Sequence, residues 1–279
     1  MKKASCVIIF FVFIAVSSFS DERFDLRTSG LYTHYSNSYL RFTEDGRITR
    51  YTRDRETNTS QGPFGPFKVE EGNYNISLED GITYINVNWD FDWEIDSPDR
   101  WLLLFYGGDG RILLYDNDSE PFFIGTHVGS IFWSYDAEWS FGGGSFEQPK
   151  ITASSSLREG NILHSPDNLN ISIGRPWVEG VAGHGIGETL VLLENWRLSQ
   201  GQLYISIGFV SYDRPHLYSF NSRPSRIRIS SGTNSRIVNL IDTPHFQRIE
   251  IGSFSQGNIE IEILDVYPGT RWQDTSIVN

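Results

Sequence analysis

The first half of the chain consists of short runs in which apolar and polar residues alternate. Residues 39–42, 47–51 and 84–89 are the clearest of these runs, and residues 101–105 form a further apolar run. A period of two is typical of strands with one buried face. Asp-Gly pairs occur in this half at residues 45–46, 80–81 and 109–110. Because Asp-Gly accepts the positive φ angles of a type I′ hairpin turn, the pattern predicts an antiparallel meander that closes into a small up-and-down barrel.

The second half alternates more strictly. Isoleucine and leucine recur at every second position in Leu203, Ile205 and Ile207, in Ile227 and Ile229, in Ile249 and Ile251, and in Ile259, Ile261 and Ile263. This period means one buried and one solvated face per strand, and about six or seven such strands fit a sandwich or jelly roll. The predicted fold class is all-β, with an N-terminal antiparallel meander or small barrel followed by a C-terminal jelly-roll β-sandwich.

Charge divides the chain into two parts. Residues 21–150 carry 23 acidic and 11 basic side chains, whereas residues 151–279 carry 12 and 10. The change falls near a stretch of glycine and small polar residues, which is typical of a linker. We therefore expect an acidic N-terminal domain at 21–145, a linker at 146–156 and a C-terminal domain at 157–279.

The beginning of the chain, residues 1–20, predicts a secretory signal peptide. Lys2 and Lys3 give it a positive start, and residues 7–16 are apolar and uncharged. This run is shorter than the ~20 residues of a spanning helix, and an uncleaved anchor is the alternative interpretation. We expect an exported bacterial protein, periplasmic or extracellular and at the cell surface, with no transmembrane segment in the mature chain.

Composition and missing motifs exclude several classes of protein. The net charge of −12 repels phosphate, which disfavours binding to nucleic acid or to anionic lipid. The only cysteine, Cys6, lies in the predicted signal peptide, so the mature chain has no disulfide and no thiol nucleophile. The motifs Gly-x-Ser-x-Gly, His-Glu-x-x-His and Ser-x-x-Lys are absent from the sequence. We therefore expect a protein that is not an enzyme and that needs no catalytic cofactor.

Three stretches of the second half are more specific than its periodicity. Residues 177–190 form a glycine-dense loop before a strand, residues 212–227 form a long loop that enters another strand, and residues 265–277 close the chain. In this order they resemble the glycan-binding domain of bacterial NAD-glycohydrolase toxins, a discoidin-like jelly roll of the galactose-binding type. The resemblance covers residues 155–279. It implies a sandwich whose loops at one end contact sugars, and no catalysis, because the NAD-cleaving part of those toxins is a separate domain.

The chain departs from that family at two places. Ile207, Gly208 and Phe209 stand where the family often has Asn-Gly-Tyr, which removes two polar groups from that loop. Ser276 stands where the family often has cysteine, in keeping with a mature chain without thiols. The N-terminal half, which opens with residues 29–32 before its strands, resembles small lipocalin-like domains.

Candidate ligand contacts lie in the three stretches. Trp177 is a candidate for stacking on a sugar ring, and the alternative is a core residue whose N–H is bonded inside the protein. Glu179, Glu188 and Asp274 are candidates for hydrogen bonds to hydroxyl groups, or for a structural Ca²⁺ site, since Ca²⁺ prefers oxygen ligands. Alternatively these carboxylates bond the loop's own N–H groups or pair with nearby arginines.

The second stretch adds polar and aromatic candidates. Asn221 and Arg223 offer the donors and the acceptor that a polyhydroxylated ligand needs. Tyr212 supplies an aromatic face, with His216 and Tyr218 beside it in the sequence. Function concentrates on such loops. These candidates form one site only if the three loops meet at one end of the sandwich.

A run of acidic residues in the first half has an alternating pattern. Asp90, Asp92, Glu94 and Asp96 would lie on one face of a strand. A Ca²⁺ or cationic-ligand site is one interpretation, and a solvated strand face is the other. The EF-hand spacing fails because the sixth position is Ile95, where that loop needs glycine.

The predicted function is that of a non-enzymatic exported protein that binds carbohydrate or another cell-envelope component through the loops of its jelly roll. The alternative is a lipocalin-like carrier or sensor, with a small apolar ligand in the N-terminal barrel and the jelly roll as a docking module. In that case Trp89, Trp93, Trp101 and Trp133 would line the cavity. An enzyme is the third hypothesis, and it would need a deep pocket containing a carboxylate of perturbed pKa.

Overall fold

The structure of the protein is a computed structural model with two successive β domains. It describes residues 26, 28, 31–34, 38–53, 67–90, 99–106, 111–117, 121–128, 150–169, 173–193, 202–251 and 257–278. The predicted signal peptide, the acidic residues Asp92, Glu94 and Asp96, and Trp93 and Trp133 lie outside these residues. No helix in the described part of the chain is long and apolar enough to cross a membrane. Strands dominate the described elements, so the all-β prediction is confirmed.

The N-terminal domain is a closed barrel of strands in chain order. Its strands are β1 (Leu31–His34), β2 (Ser38–Phe42), β3 (Arg47–Arg53), β4 (Phe67–Glu79), β5 (Ile82–Trp89), β6 (Asp99–Tyr106), β7 (Arg111–Tyr115) and β8 (Pro121–Val128). Each strand pairs antiparallel with its neighbour in the chain, and β8 returns to pair with β1. In the turn between β4 and β5, Asp80 has φ 49° and Gly81 has φ 89°. Positive φ at both positions is what an Asp-Gly hairpin turn requires.

Alternate side chains of the strands point into the barrel. The interior cluster consists of Tyr32, Leu40, Phe42, Ile48, Ile85, Val87, Trp101, Leu103, Phe105, Ile112, Leu114 and Phe123. Trp89 packs against this cluster, opposite Gly72 on β4. A Cβ atom on Gly72 would lie 3.1 Å from the indole and 2.6 Å from the Asn88 carbonyl oxygen. A glycine at this position therefore leaves the room that the inward-facing indole needs.

The C-terminal domain is a sandwich of two sheets. Its strands are β9 (Ile151–Ala153), β12 (Trp177–Val178), β13 (Thr189–Leu192), β14 (Gln202–Ile207), β15 (Arg223–Ser231), β16 (Asn234–Asn239), β17 (Gln247–Glu250), β18 (Ile259–Tyr267) and β19 (Ser276–Val278). The order is β16-β15-β18-β13-β9 in one sheet and β12-β19-β14-β17 in the other. The remaining elements are a hairpin of β10 (Arg158–Glu159) and β11 (Ile162–Leu163), a 3-10 helix at Pro166–Asn168, and the helix α1 (His216–Phe220).

The core between the two sheets contains the periodic apolar residues of the sequence. Every member of the alternating set from Leu203 to Ile263 that the sequence singled out is buried there, together with Trp177 and Ile277. Each strand therefore has one face in the core, as period two requires. The predicted β-sandwich is confirmed.

The sandwich begins earlier in the chain than its composition suggests. Residues 151–153, which the sequence places in a linker at 146–156, form the edge strand β9 and pair with β13. Ile151 lies opposite Leu192 and belongs to the core. The small polar residues that follow β9 resemble a linker, but Ser154 and Ser155 are bonded to the sandwich through Glu188 and Trp177.

A further apolar cluster joins the two domains. Its members are Ile82, Tyr84, Leu102, Leu104, Leu113 and Tyr115 from the outer face of the barrel, and Ile173, Val210, Tyr218 and Phe246 from the sandwich. Strands β6 and β7 are consequently buried on both faces, against the barrel interior on one side and the sandwich on the other. The barrel and the sandwich therefore pack as one body.

Candidate functional site

Three loops converge at one end of the sandwich. The glycine loop (residues 179–188) joins β12 to β13, the helix loop (residues 208–222) joins β14 to β15, and the terminal loop (residues 268–275) joins β18 to β19. The strands that enter and leave these loops belong to both sheets. The three stretches that the sequence singled out therefore lie together, at one rim of the domain.

Hydrogen bonds hold the three loops against one another. The Glu179 N–H donates to the Thr275 carbonyl oxygen at 3.1 Å, and the Ser222 N–H donates to the Asp274 carbonyl oxygen at 2.9 Å. The Thr275 hydroxyl donates to the His184 carbonyl oxygen at 2.9 Å. Glu179, Ser222 and Thr275 are fully buried, so these bonds replace water at the centre of the rim.

Ser222 and His184 form a pair that resembles an activated nucleophile. The His184 Nδ1 atom lies 2.8 Å from the Ser222 Oγ atom, and a serine beside a histidine is the arrangement of several hydrolases. However, Ser222 is fully buried, and its Oγ atom also accepts the Gly269 N–H at 3.1 Å. In this arrangement the hydroxyl joins the three loops and is closed to an external substrate.

Glu179 is buried beneath the glycine loop. Its carboxylate accepts the Val181 N–H at 2.8 Å and the Thr275 N–H at 3.2 Å. Burial raises the pKa of Glu179, and the nearby carboxylates of Asp274 and Glu188 act in the same direction. A Cβ atom on Gly185 would lie 2.5 Å from the Glu179 Cγ atom. The carboxylate therefore bonds the loop's own N–H groups, which is the structural alternative that the sequence left open.

Glu188 and Trp177 both contact the short segment after β9. The Glu188 carboxylate accepts the Ser154 hydroxyl at 2.5 Å and also the Ser155 hydroxyl. The Trp177 Nε1–H donates to the Ser155 carbonyl oxygen at 3.0 Å. The Trp177 ring is 0% exposed and offers no face to a sugar. The structure thus places Trp177 in the core, the second of the two interpretations made from the sequence.

Asn221 and Arg223 use their polar atoms inside the domain. The Arg223 guanidinium donates to both carboxylate oxygens of Asp242, at 2.7 and 3.0 Å. It also donates to the carbonyl oxygens of Tyr218 and Asn221, each at 2.9 Å. The Asn221 side chain donates to the Leu217 carbonyl oxygen at 2.8 Å, at the end of α1. Both residues are buried and stabilise the helix loop.

Tyr212 lies between the two domains and not on the rim. Its hydroxyl donates to the Arg100 carbonyl oxygen of β6 at 2.7 Å. Its own carbonyl oxygen accepts the Tyr84 hydroxyl at 2.8 Å, and the two rings meet edge to face at 5.9 Å. The aromatic face that the sequence offered to a ligand therefore contacts the barrel.

Asp274 remains partly exposed on the rim. Burial raises the pKa of its carboxyl group, and the Glu159 carboxylate raises it further. Among the residues that the sequence selected, Asp274 and Glu188 are the two carboxylates with partial exposure in the loop region. Asp274 therefore keeps an acceptor near solvent, two residues after Trp272.

Partly exposed aromatic rings form the most distinctive surface of the rim. The aromatic step consists of His216, Phe220 and Trp272. The ring centres of His216 and Phe220 are 5.0 Å apart, and those of Phe220 and Trp272 are 5.4 Å apart. The Arg271 guanidinium lies 4.8 Å from the Trp272 ring and 5.6 Å from the Phe220 ring. These residues combine flat apolar faces with a charged donor.

Sequence reasoning missed Phe220, Arg271 and Trp272 as site residues. Arg271 and Trp272 belong to the closing stretch at residues 265–277, but Trp177 took the stacking role in the prediction. The distinguishing signal was the setting of each tryptophan. Trp177 stands between Pro176 and Val178, whereas Trp272 stands between Arg271 and Gln273 in a polar loop.

The described carboxylates do not form a metal centre. Within the ranges that the structure describes, no group of three or more His, Cys, Asp or Glu side chains could hold a metal ion. The oxygens of Glu179 accept backbone N–H groups, and those of Glu188 accept serine hydroxyls. Neutral N–H and O–H donors therefore surround the carboxylates of Glu179 and Glu188. A calcium site would instead need oxygen ligands that converge on a cation.

The fold and its joined loops define a discoidin-like β-sandwich. Residues 143–279 match the model of the family described as the NAD glycohydrolase translocation F5/8 type C domain. The match confirms the resemblance that the three stretches predicted for the C-terminal half of the chain. No curated protein matches the chain.

Proposed function

We propose that this is an exported protein that binds carbohydrate, or another component of the cell envelope, at the loop end of its C-terminal domain. The observation that carries the proposal is the aromatic step, whose partly exposed rings lie beside Arg271 on a framework of bonded loops. The family match supports it, because discoidin-like domains are binding modules.

The chemistry of the rim suits a sugar. A pyranose has C–H groups on one face and hydroxyl groups around its edge. The face of Trp272 or Phe220 would cover the C–H groups, while Arg271 donates to hydroxyl oxygens and Asp274 accepts from hydroxyl hydrogens. The aromatic step and these two charged groups would then contact different parts of one ring.

The buried bonds beneath the rim favour binding by a rigid site. Ser222, Thr275 and Glu179 connect the loops before any ligand arrives. Binding then costs less conformational entropy than it would with mobile loops. This is consistent with a site formed by loop side chains on a fixed framework.

Two further parts of the proposal concern location and catalysis. The predicted signal peptide at residues 1–20 supports export, to the periplasm or to the exterior and cell surface, and a translocation-type domain is consistent with it. The function that we propose is binding without catalysis. It is supported by the burial of the Ser222 hydroxyl, which is closed to an external substrate.

Replacement of Trp272 by alanine is expected to weaken glycan binding by at least roughly tenfold, as truncation of a tryptophan at the centre of a binding site does. The measurement is a glycan array on the full chain, followed by titration of the best glycan. Phe122→Ala is the matched control, because Phe122 is a partly exposed aromatic residue on the barrel. If a folded wild-type chain binds no bacterial or host polysaccharide, carbohydrate is not the ligand. If Trp272→Ala binds as the wild type does, the aromatic step is not the site.

The barrel supports a second candidate function, that of a carrier. Trp89 packs on the interior cluster that contains Trp101. The Arg50 guanidinium lies 4.7 Å from the Trp89 ring and donates from Nε to the buried Glu70 carboxylate at 2.5 Å. A charged pair beside two indoles fits an amphipathic small molecule, with its polar end at Arg50 and its apolar part against the rings.

Titration with dodecanoate is expected to change the tryptophan emission of the full chain if the barrel is a carrier. The response should be lost in Trp89→Phe and retained in Trp272→Phe, which alters an indole on the other domain. An emission spectrum that does not change with dodecanoate would remove this candidate and leave the proposal for the sandwich untouched.

A further inference from the structure

The start of the helix loop is bonded to the outer face of the barrel. Tyr84 on β5 donates its hydroxyl to the Tyr212 carbonyl oxygen at 2.8 Å, and Tyr212 donates its hydroxyl to the Arg100 carbonyl oxygen at 2.7 Å. The Arg100 guanidinium covers the Tyr84 ring at 3.7 Å. Each of the two tyrosines thus donates one hydrogen bond across the domain contact, and the helix loop cannot move here without breaking both.

A second contact lies on α1 itself. The Tyr218 ring is 5% exposed and faces the turn at Gly81, where an added Cβ atom would come within 3.2 Å of the ring. The Tyr218 hydroxyl donates to Asp242 at 2.9 Å. Asp242 in turn binds the Arg223 guanidinium through both oxygens. Helix α1 is therefore held between the barrel turn and the segment that contains Asp242.

That segment is also bonded to the barrel. The Phe246 N–H donates to the Phe105 carbonyl oxygen at 2.9 Å. The Phe105 N–H donates to the His245 Nδ1 atom at 3.4 Å, and the two rings pack edge to face at 5.0 Å. The end of β6 thus holds His245 and Phe246, which follow Asp242, the residue whose carboxylate binds Tyr218, by three and four positions.

The aromatic step lies on a different face of α1 from Tyr218. His216 and Phe220 are four residues apart, so they share one helix face, and their rings are in contact. Tyr218 lies between them in sequence and points to the barrel. A shift of the helix at Tyr218 would therefore displace Phe220 relative to Trp272.

We propose that the N-terminal barrel is a brace for the candidate site: by holding the helix loop through Tyr212 and Tyr218, it positions the aromatic step. The proposal takes the identity of the site from the proposed function. It gives the barrel a role that needs no ligand in its interior. Tyr84, Tyr212 and Tyr218 are then positioning residues, which act on the site through α1. A ligand at the rim and the docked barrel favour the same loop conformation, and such coupling is reciprocal.

The test compares amide hydrogen exchange in three full-length chains. Tyr84→Phe/Tyr212→Phe removes both interdomain hydroxyl donors and keeps the rings. Tyr74→Phe is the matched control, because its hydroxyl donates at 2.9 Å to the Thr43 carbonyl oxygen within the barrel. The reporters are the helix-loop amides of Tyr218 and Asn221, which donate to the Pro215 and Leu217 carbonyl oxygens at 3.1 and 3.2 Å.

We expect the reporter amides to exchange roughly tenfold faster in the double variant, because two hydrogen bonds no longer oppose local opening. In Tyr74→Phe they should exchange at the wild-type rate. Equal exchange in the double variant and the wild type overturns the brace. If the double variant does not fold, the single variant Tyr212→Phe is expected to show a smaller increase at the same amides, and no increase there overturns the brace as well.

The exchange measurement needs no ligand, so it separates this proposal from the proposed function. Faster exchange in the double variant supports the brace even where a glycan array finds no sugar. Unchanged exchange removes the brace even where Trp272→Ala abolishes glycan binding. When a glycan has been found, the double variant should bind it more weakly than Tyr74→Phe does.

Discussion

Replacement of Trp177 by alanine is expected to lower the free energy of unfolding by about 3–5 kcal/mol. The indole is fully buried in the core of the sandwich, and its Nε1–H donates to the Ser155 carbonyl oxygen at 3.0 Å. The substitution removes a large buried apolar surface, leaves a cavity between the sheets and deprives the carbonyl of its donor. In a chain of this size the melting temperature should fall by roughly 10 °C.

Differential scanning calorimetry of the full chain measures this loss, with Trp272→Ala as the control. Trp272 is partly exposed, so its truncation should cost less than half as much stability while it weakens glycan binding. The main effect of Trp177→Ala is thus expected on stability, and the main effect of Trp272→Ala is expected on glycan binding. The opposite result, a stable Trp177→Ala chain that has lost glycan binding, would return the stacking role to Trp177 and contradict the assignment made from burial.

The class of fold could be predicted from periodicity because each half has one dominant signal. In the sandwich, residues such as Ile227, Ile229 and Ile261 alternate with polar residues, and each is buried. In the barrel, Asp80-Gly81 forms a turn with positive φ at both positions. Both signals are local, since they depend on neighbours in the same strand or turn. Local signals therefore predicted the elements and their antiparallel order.

The contact between the domains was not predicted, although the sequence contains a sign of it. Residues 101–105 and 112–115 are continuous apolar runs. Such runs are typical of strands that are buried on both faces, but a barrel surface that faces water should alternate. Leu102, Leu104 and Leu113 point outward and are covered by the sandwich. The second covering layer comes from a distant part of the chain, which no pattern within a strand can identify.

The location of the candidate site could be predicted better than its residues. The three stretches meet at one rim, but Glu179, Asn221 and Arg223 turn inward, where they bond backbone groups and, for Arg223, the Asp242 carboxylate. A loop that crosses the end of a sandwich has many N–H and C=O groups without strand partners, and buried polar side chains bond them. The polar character of a loop residue alone therefore does not distinguish a residue that binds a ligand from one that stabilises its loop.

Acidic pH is expected to destabilise the protein through His245, which is buried at the domain contact. Burial lowers the pKa of His245 from 6.5 to about 3. Below pH 6.5 His245 therefore stays neutral in the folded chain, whereas it binds a proton in the unfolded chain. The stability that depends on neutral His245 is complete above pH 6.5 and is lost as the pH falls towards 3. Between pH 7 and pH 4.5 the loss should reach about 2–3 kcal/mol.

Urea unfolding of the full chain at pH 7 and at pH 4.5 measures this loss when it is compared with His245→Asn. Glu179 and Asp274 have raised pKa values, and they act with the opposite sign because the folded chain holds their protons more tightly. Both carboxyl groups are present in the wild type and in the variant, so the difference between the two chains isolates His245. His216→Asn is the control, since His216 is partly exposed, and it should follow the wild type. Parallel pH profiles for His245→Asn and the wild type would show that protonation of His245 does not weaken the domain contact.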